Sequence, residues 1–181
     1  THTYRCGGVI IPSTTAICAI LAPRFPVEKY YLEKGRFIHS ISEWEDTGEL
    51  DESSVDPQLQ GYLDGYRKFK SETGFRVVET ELQFYNKKHG YCGRVDKYGE
   101  LYDYMSVLDI KSGQYHEADT YQAPAYLFGL KANKLCWKAW DLYLKANGRY
   151  KILEVKQPTE KFFRFLNGIS EWRRQNDNRI E

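Results

Sequence analysis

The stretch RVVETELQFYNKKHGYCGRVDKYGELYDYMSVLDIK, Arg76 to Lys111, decides the fold class. Its first ten residues alternate, with Val77, Glu79, Glu81, Gln83 and Tyr85 on one face and Val78, Thr80, Leu82 and Phe84 on the other. That two-residue period is the mark of a strand. Lys87-Lys88-His89-Gly90 reads as a turn and Tyr91 to Asp96 as a second strand. A polar turn around Tyr98-Gly99-Glu100 leads to a third strand, from about Tyr104 to Lys111, which Ser112-Gly113 breaks.

Downstream, Thr120 to Asn133 reads as a helix. Two strands follow, Leu135 to Leu144 and Tyr150 to Val155, joined at the hairpin dipeptide Asn147-Gly148. A terminal helix spans Thr159 to Gln175, with Phe162, Phe163, Phe165, Leu166 and Ile169 facing inward. Upstream, Tyr4 to Ile11 forms a small hairpin around Gly7-Gly8, and the hydroxyls of Ser13-Thr14-Thr15 cap a short helix from Ala16 to Leu21. A second helix runs from about Val27 to Trp44, with Tyr30, Tyr31, Phe37, Ile38 and Ile41 inward, and Glu45 to Asp56 is a surface loop. Asp56-Pro57 opens a third helix, whose Leu59, Tyr62, Leu63, Tyr66 and Phe69 recur at three and four, and Gly74 closes it. The order of elements predicts an α/β fold, a central mixed β-sheet flanked by helices on both sides.

Composition agrees. At 181 residues with 41% hydrophobic and 15% aromatic residues, the chain has ample apolar area for one core, which predicts a single domain over 1–181. No apolar run approaches the roughly 20 residues of a bilayer span, and no basic region leads into an apolar block, so a cytoplasmic protein without membrane association is expected. The four cysteines, at 6, 18, 92 and 136, are too far apart for a zinc or iron–sulfur site and read as reduced thiols. Net charge is only +1, but it is uneven: seven acids and no Lys or Arg lie between Ser40 and Asp56, and twelve basic residues face six acidic ones from Lys131 onward.

The chemistry sits at Gly93-Arg94-Val95-Asp96 and Asp109-Ile110-Lys111. Positions i and i+2 of a strand share a face, so Asp109 and Lys111 project together, away from Leu108 and Ile110. If the two strands pair, Asp96 reaches the same place. Two carboxylates, an ammonium and the Ile110 carbonyl form an oxygen-rich site suited to Mg²⁺ or Mn²⁺ rather than zinc. Lys111 would hold or help deprotonate a water attacking a phosphodiester. An Asp-x-Lys triplet alone is also an ordinary exposed strand pair.

Four motifs in order carry more. Gly35-Arg36-Phe37-Ile38-His39, Gly93-Arg94-Val95-Asp96, Asp109-Ile110-Lys111-Ser112-Gly113 and Tyr121-Gln122-Ala123-Pro124-Ala125-Tyr126 together resemble the PD-(D/E)XK nuclease superfamily, in its RecB-type and phage-lambda-type exonuclease branch. Val9 to Thr15 also looks like the opening of phage members. The resemblance implies a restriction-endonuclease-like core and a metal held by Asp96, Asp109 and the Ile110 carbonyl. His39 would be a further ligand and Glu81 an acid binding metal or a bridging water. It also implies that Gln122 and Tyr126 orient Lys111 or touch a phosphate. Pro124 departs from the apolar residue usual there and places the start of that helix in question.

The activity implied is Mg²⁺- or Mn²⁺-dependent hydrolysis of DNA ends, single- or double-stranded, in phage-type replication, recombination or repair. A homo-oligomer or a phage recombination partner stays open. The alternatives are a structure-selective or restriction-type endonuclease, or a non-catalytic DNA-binding protein on the same fold; an acidic DNA mimic built on Glu43 to Asp56 has little else behind it. DNA grip is expected from Lys131, Lys134, Lys138, Arg164, Arg173 and Arg174, with Phe163 or Trp172 stacking on frayed bases.

Overall fold

The computed structural model describes residues 4–177 apart from 7, 24–25, 27 and 132–134. β1 (Tyr4–Cys6) and β2 (Val9–Ile11) pair as an antiparallel hairpin. α1 (Thr14–Leu21) follows, its first turn closed by Ser13 Oγ, which accepts the Ala16 N–H at 3.1 Å. Two longer helices, α2 (Lys29–Thr47) and α3 (Pro57–Thr73), end on Gly48 and Gly74 in the left-handed conformation. β3 (Arg76–Asn86), β4 (Tyr91–Leu101) and β5 (Tyr104–Lys111) then form a meander. α4 (Asp119–Leu130) crosses to β6 (Lys138–Leu144), which turns back into β7 (Tyr150–Glu154) before α5 (Pro158–Asp177).

The sheet is five-stranded and mixed, in the order β3-β4-β5-β6-β7. Every neighbouring pair is antiparallel except β5 and β6, the pair that α4 connects. Helices cover both faces. On one, Ile17, Tyr126, Leu127 and Phe165 of α1, α4 and α5 pack on Tyr91, Val95 and Val107. On the other, Ile38, Leu63, Tyr66 and Phe69 of α2 and α3 pack on Leu108, Ile110 and Leu142. Among the described residues no helix is long and apolar enough to cross a membrane.

Four local expectations are corrected. β4 does not turn at Tyr98-Gly99-Glu100 but runs on to Leu101, and the reversal falls at Tyr102 and Asp103, both in the left-handed region (φ 50° and 64°). α2 continues through Thr47, so Glu45 and Asp46 are helical rather than part of a loop. Its inward stripe is Ile38, Ile41 and Ser42, while Tyr30, Tyr31 and Phe37 are exposed. Phe37 lies about 100° round the helix from Ile38, and the two tyrosines precede the covered stretch by two turns. In α5 the same geometry turns Phe163 outward while Phe162 and Phe165 are buried. Pro124 lies inside α4, whose start at Asp119 leaves only one interior backbone hydrogen bond for it to remove. Cys18, Cys92 and Cys136 are buried and lie outside any disulfide.

Gly61 sets how closely α3 approaches the β6–β7 turn. A Cβ there would lie 1.8 Å from the Ala146 carbonyl oxygen, a backbone atom that cannot swing aside. Gly61→Ala should therefore destabilise by about 2 kcal/mol or more, although Ala is the better helix former by about 1 kcal/mol. Equilibrium unfolding in urea would read this as a lower midpoint, and an unchanged or higher midpoint would contradict the packing.

Candidate active site

The site lies where β4 and β5 part. Their ladder runs from Leu101↔Tyr104 to Lys97↔Leu108 and stops there. β5 stays paired with β6 through Lys111↔Tyr143, and β4 stays paired with β3 to the hairpin. Asp96 fills the fork: its Oδ2 accepts the Ile110 N–H at 2.6 Å, replacing the lost backbone partner. The Asp96 Oδ1 lies 3.3 Å from His39 Nδ1, which reaches in from α2. Glu81 completes a group in which His39, Glu81 and Asp96 each offer a ligand atom, all within 4.8 Å of one another.

Glu81 is held there by an unusual backbone. It sits in β3 with φ 52°, a left-handed conformation that costs a non-glycine residue about 1–2 kcal/mol. Its carboxylate also pairs with Arg94 Nε at 2.6 Å. Gly93, first residue of the Gly-x-x-Asp motif, has a steric reason: a Cβ would meet Thr14 Oγ1 and the Phe84 ring, both at 2.7 Å.

On the face covered by α4, Lys111 Nζ has three oxygen partners. It donates to Gln122 Oε1 at 3.0 Å and is ion-paired with Asp109 Oδ2 at 2.6 Å and Asp119 Oδ1 at 3.5 Å. Gln122 is itself oriented, since its Nε2 donates to Tyr126 Oη at 2.8 Å. The ion pair with Lys111 does not saturate Asp109: neither of its buried oxygens receives a well-formed hydrogen bond, nor does Asp141 Oδ1. Asp141 stands beside Asp109 in the parallel β5–β6 register.

The charges around the fork do not balance. Burial pushes the Asp109 carboxyl up, Lys111 opposes this, and Asp96 and Asp141 push it further. Burial likewise raises Asp141, to about 7, against the pull of Lys111. Burial also works against charge on Asp96, but His39, the Ile110 N–H and Lys111 more than offset it and hold Asp96 at about 2. His39 is raised: Asp96, Asp109 and Glu81 outweigh its desolvation. Lys111 is held charged by Asp109, Asp119 and Asp141 despite its burial. Crowded, under-coordinated carboxylates beside an imidazole form a donor set that fits a hard divalent cation such as Mg²⁺ or Mn²⁺.

The structure thus brings His39, Glu81 and Asp96 together at the fork, and Asp109, Lys111, Gln122 and Tyr126 against it. Ile110 joins the two sets through its N–H. Two acids of this site, Asp119 and Asp141, were absent from the sequence reading. Asp141 did leave a signal, a lone carboxylate in the apolar run Ala139 to Leu144. Asp119 left none, being simply one polar residue in a polar segment.

The basic residues expected to grip DNA are mostly engaged elsewhere. Lys138 pairs with Glu154, Arg164 with Glu160 and Arg174 with Glu171. Lys134 falls outside the described residues. Lys131 and Arg173 remain.

No family model matches the chain, and no curated protein matches it. Among solved structures, the protein SSO0001 is similar over 94% of this chain and 79% of its own, at 14% identity and a TM-score of 0.44. The alkaline exonuclease LHK-Exo from Laribacter hongkongensis is similar over 93% of this chain and 94% of its own, at 11% identity and a TM-score of 0.44. Its complex with dAMP gives 14% identity and a TM-score of 0.37 over the same shares. Likenesses this distant carry no argument about chemistry, which rests on the side chains of the fork.

Proposed function

We propose that the chain is a Mg²⁺- or Mn²⁺-dependent deoxyribonuclease of a single domain that hydrolyses phosphodiester bonds at DNA ends. The observation that carries this reading is the fork itself. A buried carboxylate clamped by a backbone N–H sits beside His39 and Glu81, one strand away from an under-coordinated Asp109 and a fixed, charged Lys111. Asp96, Asp109 and the Ile110 carbonyl would hold the cation, with His39 and Glu81 beside them, and the ion would supply Lewis-acid stabilisation of the charge developing on the phosphate.

The protein's own groups supply position. Lys111 keeps its proton and presents a positive charge, held by Gln122 and Asp109, to an attacking hydroxide or a phosphate oxygen. Tyr126 fixes the Gln122 amide, so Gln122→Ala would loosen Lys111 rather than remove its charge. The α1 and α4 layer and the α2 and α3 layer bury the carboxylates, which strengthens each interaction by excluding water. A non-catalytic binder has no use for this arrangement, because Lys111 and four buried carboxylates would only cost desolvation.

End-labelled linear, circular and single-stranded DNA, each incubated with Mg²⁺, with Mn²⁺ and with excess EDTA, tests this. Release of label from linear substrates alone, abolished by EDTA, is the expected result. Nicking of circles would make the protein an endonuclease, and cleavage undiminished by EDTA would overturn the reading.

A further inference from the structure

We propose a second nucleic-acid contact at the tip of the β3–β4 hairpin, a cationic cavity that seats the phosphates of a strand extending away from the fork. A cavity of about 570 Å³ opens there, lined by Tyr85, Lys87, Lys88, His89, Phe128 and Phe162. That lies within the roughly 300–1,000 Å³ of pockets that enclose small ligands, and it is large enough for one nucleotide unit.

Four cationic side chains from three elements meet at this spot. Lys87 and Lys88 come from the hairpin itself. Lys131, just past α4, places its Nζ 5.0 Å from the centre of the Phe128 ring. Arg173 of α5 donates to the His89 carbonyl at 2.8 Å. Among the described residues none of the four has an acidic partner, whereas Lys138, Lys156, Arg164 and Arg174 each have one. The wall behind them is aromatic, with Phe128 and Phe162 stacked at 4.5 Å and His89 edge-on to Phe162. Unneutralised cations before an aromatic wall select an anion carrying a planar group, and a nucleic-acid strand is such a ligand. Burial, and then the charges of Lys88 and Arg173, lower the pKa of His89.

The cavity is also on the correct side of the molecule. β4 leaves β5 at Asp96 and continues to the hairpin, so the tip projects beyond the end of β5 that carries Asp109 and Lys111. Six residues of extended strand separate Asp96 from Gly90, about 20 Å at 3.3 Å per residue. α4 spans the same gap, with Gln122 on Lys111 and Phe128 in the cavity wall. A strand whose end lies in the fork therefore passes the cavity several nucleotides away.

This inference rests on DNA as the substrate. Its test is the salt dependence of binding, measured in EDTA by fluorescence anisotropy with a labelled single strand of about 20 nucleotides, for wild type and for the Lys87→Gln/Lys88→Gln/Lys131→Gln variant. The three positions are exposed, so folding is spared, and the matching Lys→Arg variant serves as rescue. Each phosphate contact contributes about 0.7 to the slope of log K against log salt, so the triple variant should lose about 2 from it and Lys→Arg should keep it. An unchanged slope in the Gln variant, with wild-type cleavage intact, would overturn the cavity and leave the nuclease reading standing. A reduced slope in a protein that cleaves nothing with any metal would support the cavity and overturn the nuclease reading.

Discussion

Asp109→Asn should reduce DNA cleavage by about 10³-fold or more while DNA binding is kept or strengthened. The substitution keeps size and shape but removes a charge from a buried carboxylate whose close partner is the Lys111 ammonium and whose oxygens receive no well-formed hydrogen bond. It also leaves Lys111 in place, still held by Gln122 and Asp119, so a loss of activity reports lost cation binding and not a collapsed pocket. Lys111→Ala should abolish turnover with Mn²⁺ binding largely retained, because an ammonium is not a metal ligand. His39→Ala should fall between the two and recover partly at raised Mn²⁺. Single-turnover cleavage of end-labelled DNA, with anisotropy for binding, separates these outcomes. Full activity in Asp109→Asn would place the chemistry elsewhere.

The largest effect on stability is expected at Asp46, whose partner Lys97 adjoins Asp96 on β4. Its carboxylate, 2% exposed, accepts from Tyr66 Oη at 2.6 Å and pairs with Lys70 at 2.7 Å and Lys97 at 2.8 Å. Lys97 is itself buried in β4, with Thr80 Oγ1 at 3.4 Å as its only other polar contact described. Removing Asp46 strands an ammonium inside the α2–α3 layer, which costs about 3–5 kcal/mol. Asp46→Ala should lower the urea midpoint accordingly, and Asp46→Ala/Lys97→Met should recover much of the loss because no buried charge is left unpaired. A single substitution costing under about 1 kcal/mol would show that water already reaches this cluster.

The order of elements was legible because the sequence punctuates it. Asp56-Pro57 and Gly74 bracket α3, Asn147-Gly148 turns β6 into β7, and the alternation from Arg76 gives β3. What failed had long-range causes. Tyr98-Gly99-Glu100 has the composition of a turn, yet Gly99 is there because a Cβ would lie 2.3 Å from the Arg76 carbonyl oxygen on the neighbouring strand. The true reversal at Tyr102-Asp103 carries no glycine to announce it. Asp46 looked like one acid among seven, because its three partners lie 20 to 51 residues further along the chain. At the site, Asp96, Asp109, Ile110 and Lys111 were readable from strand spacing, while His39 and Glu81 followed from the family resemblance. Asp119 and Asp141, which complete the charge around Lys111, matter only once β6 is set beside β5 and α4 is laid across them.

The central claim is that the β4–β5 fork is a divalent-cation site built on Asp96 and Asp109. Titration of the protein with Mn²⁺, followed by the loss of the free-ion electron paramagnetic resonance signal, tests it without reference to any substrate. Wild type should take up Mn²⁺ saturably, Asp96→Asn and Asp109→Asn should each weaken uptake by at least about tenfold, and Mg²⁺ should compete. Equal uptake by wild type and both variants would contradict the account.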